Sequence, residues 1–199
     1  MTLEDQIIQE LKDWSAHALE QASEEFNNLP PCPYARQAWL NDKIAISFKY
    51  DGDLQHLYSA ISRYEDKYDL HIIVDLRFKE DSEEFQDYLD KLNDAISLGM
   101  FIDKDIWVMG FHPYDDPNDL IDDDTFEPLV ETEYALIFVQ RLSKLQASAD
   151  KLKAKGYYDK YLDEYDASHI FEKRRELYDR LKETTHGNET EEDDARWAC

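Results

Sequence analysis

Apolar residues recur along the chain at two spacings, and the switches between them mark out helices and strands. Leu3, Ile7, Leu11, Trp14, Ala18, Ala22 and Phe26 keep helical spacing behind Thr2, with Asp5 three residues on. The first segment therefore reads as a capped amphipathic helix, ended by Asn27-Asn28-Leu29-Pro30-Pro31. A short helix is expected from Cys32 to about Asp42, because Pro33 suits a first helical position. From Lys43 to Tyr50 the period falls to two, with Ile44, Ile46, Phe48 and Tyr50 on one face, which predicts a half-buried strand. Asp51-Gly52-Asp53 turns the chain into a helix carrying Leu54, Leu57, Tyr58, Ile61 and Tyr64. A second strand is expected over Leu70 to Phe78. After it comes a helix capped by Ser82, bearing Phe85, Leu89, Leu92 and Ile96 and stopped at Gly99, and then a third strand over Asp105 to His112.

This alternation predicts an α/β fold: a small three-stranded sheet in a βαβαβ pattern, with N-terminal and C-terminal helices packed around it. Right-handed crossovers would set the strands parallel. The first two strands each have a more polar face, which implies either a sheet covered well on one side only or a mixed strand order. From Pro113 to Pro128 the chain is acidic and reads as a long loop. Glu131 to Lys155 is expected to be helical, with a stripe of Tyr134, Phe138, Leu142, Leu145, Ala149 and Leu152, and Gly156 ends it. The expected organisation is an α/β domain over 1–155, a tyrosine-rich helical appendage over 156–183 and a disordered acidic tail over 184–199.

Charge narrows the function classes. In 199 residues, 22 Lys and Arg stand against 46 Asp and Glu, a net charge of −24 that repels phosphate backbones and anionic lipid. Nucleic acid and membrane are thus not expected as partners. Residues 1–14 carry four acids and no continuous apolar stretch, unlike a signal peptide, and nowhere do eighteen apolar residues run together. The two cysteines, Cys32 and Cys199, cannot make a disulfide framework, so a cytoplasmic location is expected.

Two short stretches carry candidate chemistry. In Cys32-Pro33-Tyr34-Ala35 the cysteine is read at a helix start, where the positive helix end favours a thiolate and lowers the thiol pKa. In Phe111-His112-Pro113 an imidazole closes an apolar strand. Brought together, Cys32 and His112 would form a nucleophile and its base, whereas apart they read as a small core residue and a strand cap. A glutaredoxin-like role is weaker, because position 35 is Ala where a resolving Cys would stand. Arg36, Arg77 and Arg141 are candidate holders of a carboxylate or phosphate. No cofactor is specified, but a divalent metal is compatible with His112, Asp115 and Asp116, one imidazole with two carboxylates.

The order and separation of these motifs resemble a bacterial family of unknown function, whose members show Cys-Pro-Phe/Tyr-Ala near the start and Phe-His-Pro well downstream. The likeness spans roughly Asp13 to Leu142. Beyond His112 this chain departs from the family, reading Asp122-Asp123-Asp124-Thr125-Phe126-Glu127-Pro128 where members carry an Arg-Ser-Pro-Tyr-Pro-like run. The resemblance implies a fold and a candidate site but no reaction. Two functional expectations follow from the residues: an enzyme or enzyme accessory acting on a small anionic molecule through a Cys/His site, or a non-catalytic module that binds a protein partner through the tyrosine-rich helices and acidic surface.

Overall fold

Three strands that run the same way, β1, β2 and β3, and one reversed strand, β4, share a single mixed sheet in the order β1-β2-β4-β3. The computed structural model describes residues 1–51, 55–101, 104–116, 120–121, 125–160 and 168–186. The strands are β1 (Ile44–Lys49), β2 (Leu70–Asp75), β3 (Ile106–Phe111) and β4 (Ala135–Arg141). The helices are α1 (Leu3–Trp14), α2 (Ala35–Leu40), α3 (Gln55–Ser62), α4 (Ser82–Ser97), α5 (Leu142–Lys153) and α6 (Ser168–His186). The α/β class holds, but the three-stranded expectation does not.

The strand missing from that expectation is β4, at the head of the segment read as helical from Glu131. Tyr134, Phe138 and Leu142 mimic a helical stripe, but between the first and the last of them lies the run Ala135-Leu136-Ile137-Phe138-Val139, apolar at every position. Such a run suits an inner strand covered on both faces. β4 pairs antiparallel with both β2 and β3 and so stands between them. Helix begins only at Leu142.

Both faces of the sheet are packed. Ile73, Val108, Ile137 and Val139 join α3, α4 and Leu177 of α6 in the main core, while Ile72, Val74 and Leu136 meet Ile7 and Leu11 of α1 on the other side. The polar look of β2's second face came from His71 and Asp75, yet Ile73 between them is fully buried. α4 lies close on β3 because Gly110 leaves room: a Cβ there would stand 2.2 Å from Leu89 Cδ1 and 2.6 Å from Phe85 Cε1. Asn93 of α4 protects the edge strand, its amide donating to Val108 O at 2.8 Å and accepting from Val108 N at 3.0 Å.

α1 opens with the expected capping box, in which Thr2 Oγ1 accepts from Asp5 N at 3.1 Å and Asp5 Oδ2 accepts from Thr2 N at 2.9 Å. It does not run on to Phe26. After Trp14 it widens into a π-helical turn, Ser15–Leu19, and the chain then folds back through a bridge between Ser23 and Leu29, with Asn27 and Asn28 at φ 55° and 61°. α6 is held to the rest of the fold by Lys173 to Asp94 at 2.6 Å, by Arg175 to Asp150 and by the buried Leu177. The expected acidic tail lies outside the described residues from 187 onward, as does Cys199. So do positions 117–119 and 122–124 of the acidic loop and Tyr161 and Tyr165 of the appendage. Among the described residues no helix is long and apolar enough to cross a membrane.

Candidate functional site

Cys32 does not sit at a helix start. α2 begins at Ala35 with Tyr34 at its N-cap position, and Cys32 occupies the preceding turn, its N–H donating to Leu19 O at 2.9 Å and its C=O accepting from Ala35 N at 3.1 Å. The expected low thiol pKa is reversed: burial pushes the Cys32 thiol above its ordinary value, outweighing the Tyr34 and Ala35 backbone N–H groups that pull it down. A neutral, half-buried thiol is a poor nucleophile.

His112 is buried, and both of its ring nitrogens are engaged. Nδ1 accepts from Tyr114 N at 3.3 Å and Nε2 lies 3.1 Å from Glu80 O, so a neutral imidazole with its hydrogen on Nε2 satisfies both contacts. Phe78 and Phe85 pack on the ring at centroid distances of 4.9 and 5.5 Å. Cys32 and His112 share none of these neighbours. The second motif thus behaves as a clamp: His112 N donates to Asp115 Oδ2 at 2.6 Å, Asp115 accepts from the Ser82 hydroxyl, and the loop after β3 is tied to the start of α4. With Asp115 so engaged, the candidate metal trio of His112, Asp115 and Asp116 does not converge. Among the described residues no three His, Cys, Asp or Glu side chains are placed to hold a metal ion.

The three candidate arginines are separated. Arg141 is buried at the far end of β4, where it donates to Lys104 O at 2.7 Å, pairs with Asp66 at 2.6 Å and stacks on Tyr64 at 4.2 Å. Arg77 follows the opposite end of β2, about 20 Å away at the rise of a six-residue strand. Arg36 is exposed on α2.

Arg77 does stand in a cleft, one that the sequence did not announce. Lys49 and Asp75 are the last residues of β1 and β2 and lie opposite each other in the parallel register. Lys49 Nζ donates to Asp75 Oδ2 at 2.7 Å with both side chains 6% exposed, and Arg77 N donates to Asp75 Oδ1 at 2.9 Å. Above this pair the cleft is lined by Arg77, Lys79 and Glu80 on one side and by Phe85 and Tyr88 on the other. Its enclosed space is only ≈ 30 Å³, enough for the terminal atoms of a ligand but not for a whole one. The Lys79 and Glu80 backbone N–H groups hold the Glu80 carboxyl below its usual range, with the Lys49 and Lys79 charges adding to the effect. Burial pushes the Tyr88 hydroxyl up, so it stays protonated and able to donate. The signal for this site was the charged last residue of each strand, legible only once the two strands are aligned in parallel.

A second polar cluster was also missed. Ser47 Oγ of β1 lies 3.0 Å from His71 Nε2 of β2 and 3.5 Å from His56 Nε2 of α3. Burial, with a smaller push from His56, lowers the His71 pKa. The cluster fills the seam between α3 and the parallel strands.

The tyrosines expected to form a partner surface turn inward where they are described. Tyr157 is buried against Phe26 and donates to Pro31 O, and Tyr178 packs against the main core. No protein-family model matches the chain, and no curated protein or solved structure shows significant similarity to it.

Proposed function

We propose that this protein binds a small anionic molecule at the carboxyl ends of β1 and β2, as an enzyme or enzyme accessory whose ligand-holding groups are Arg77 and Lys79. The observation that carries this reading is the cleft's charge. In a chain of net charge −24, three cations (Lys49, Arg77, Lys79) line it against two carboxylates (Asp75, Glu80). Lys49 is spent on Asp75, while Arg77 and Lys79 make no ion pair among the described residues. Ligands of open α/β sheets collect at the carboxyl ends of strands, where loops converge. His112 serves the site at one remove, by fixing the Glu80 backbone and hence the Lys79-Glu80 turn. Cys32 takes no part. Kinship with the bacterial family rests on its two motifs alone and is retained as part of the proposal.

Calorimetric titration with inorganic phosphate and with malonate tests the site. Saturable binding that falls at least fivefold in Arg77→Ala and in Lys79→Ala, both exposed positions whose loss leaves the fold intact, supports it. Binding unchanged in the two variants, or absent from the wild-type protein, overturns it.

A further inference from the structure

A second cavity, of ≈ 170 Å³, lies on the opposite face of the sheet between α1, β4, the last residue of β3 and the chain before β4. Trp14, Phe111, Phe126 and Tyr134 line it, and Glu10 stands among them. Glu10 is the exception in the apolar face of α1: only 6% exposed, it holds its carboxylate inside the protein. The Leu129 and Val130 N–H groups, the latter at 2.8 Å, and the Tyr134 hydroxyl all donate to it. These donors are neutral, so they satisfy lone pairs without cancelling charge, and they use three of the roughly four positions a carboxylate offers. Glu10 makes no ion pair among the described residues. The cavity therefore keeps a negative potential inside walls that are aromatic.

Aromatic faces and a desolvated carboxylate both attract one kind of guest, a cation too weakly hydrated to resist leaving water. A bare ammonium or a metal ion is too strongly hydrated for walls that offer so few oxygens, whereas an alkylated ammonium brings its own apolar surface. The size agrees, since about 150 Å³ suffices for a benzene-sized guest. We infer that this cavity is a binding site for a small molecule bearing an alkylated ammonium group, with Glu10 as counter-ion and Trp14, Phe111, Phe126 and Tyr134 as its aromatic walls. The site is independent of the anion cleft, with which it shares no lining residue.

The test compares choline with its neutral isostere 3,3-dimethylbutan-1-ol by ligand-observed NMR titration of the intact chain. Choline is expected to bind at least tenfold more tightly than the alcohol. Glu10→Gln should abolish that preference, and Phe126→Ala should weaken choline at least fivefold. Should Glu10→Gln fail to fold, Trp14→Leu at a half-buried position replaces it and must weaken choline by a similar factor. Equal binding of alcohol and choline would make the cavity merely apolar, and absence of saturable choline binding would make it no site at all. Binding of a trimethyl-lysine peptide more than tenfold tighter than choline would assign the cavity to a protein partner and overturn the small-molecule assignment.

Discussion

Asp75 and Glu10 are carboxylates buried to nearly the same degree on opposite faces of one sheet, and the protein accommodates them in opposite ways. Asp75 has a cation in contact, Lys49 at 2.7 Å, together with one backbone N–H. Glu10 has two backbone N–H groups and a tyrosine hydroxyl but no cation. The first arrangement is electrically closed, so whatever attracts a ligand there must come from Arg77 and Lys79 at the mouth. The second leaves a net charge inside an aromatic wall. Hydrogen bonding alone meets the local cost of burying a carboxylate, and only a counter-ion removes its field.

The comparison is broken most severely at Lys49. Lys49→Met leaves Asp75 buried without its cation and is expected to cost about 3–5 kcal/mol in urea unfolding. The double variant Lys49→Met, Asp75→Leu should regain most of that loss, because the pair as a unit contributes little. Equal losses in the single and double variants would contradict the closed-pair description.

Removing the other carboxylate should cost less, since no charge is stranded. Glu10→Ala leaves two amides and one hydroxyl without their acceptor, and about 2–3 kcal/mol is expected. Adding Tyr134→Phe to that variant should change little further, whereas full additivity of the two losses would show that the hydroxyl's partner lies elsewhere.

His112→Ala sharpens the account of the anion cleft. The variant should lose about 1–2 kcal/mol, the cost of leaving Glu80 O and Tyr114 N without a partner, and amide exchange at Lys79, Glu80 and Ser82 should speed up. Unaltered exchange at those three amides would remove the clamp role given to His112.

The smallest effect distinguishes the Glu10 side at alkaline pH. Burial and then the Glu10 carboxylate raise the Tyr134 pKa. The folded chain thus holds this proton more tightly than the unfolded one, whose tyrosines titrate near 10. Its contribution is fully present below pH 10 and is lost as pH rises beyond it. Between pH 9 and pH 11 the wild type should lose about 1 kcal/mol more than Tyr134→Phe, measured by urea midpoints. Parallel losses in the two proteins would place Tyr134 in solvent.

The sequence by itself determined the elements whose periodicity is local. The Thr2-Asp5 capping box, the period-two run of β1 and the stripe of α4 depend on residues within a few positions of one another, and each stands where its pattern put it. β4 was illegible for the converse reason. A run apolar at every position carries no period, and only the presence of β2 on one side and β3 on the other decides that it is extended. The same limit applies to the sites. Cys32 and His112 stand in short motifs legible in the sequence, yet one is a half-buried thiol held above its ordinary pKa and the other a hydrogen-bonded clamp. Lys49 and Asp75 are 26 residues apart, and Glu10 lies more than a hundred residues from the amides it accepts from. Strand register and the docking of α1 on the sheet bring these groups together. Those are tertiary decisions, made by burial summed over a whole face, which no local spacing encodes.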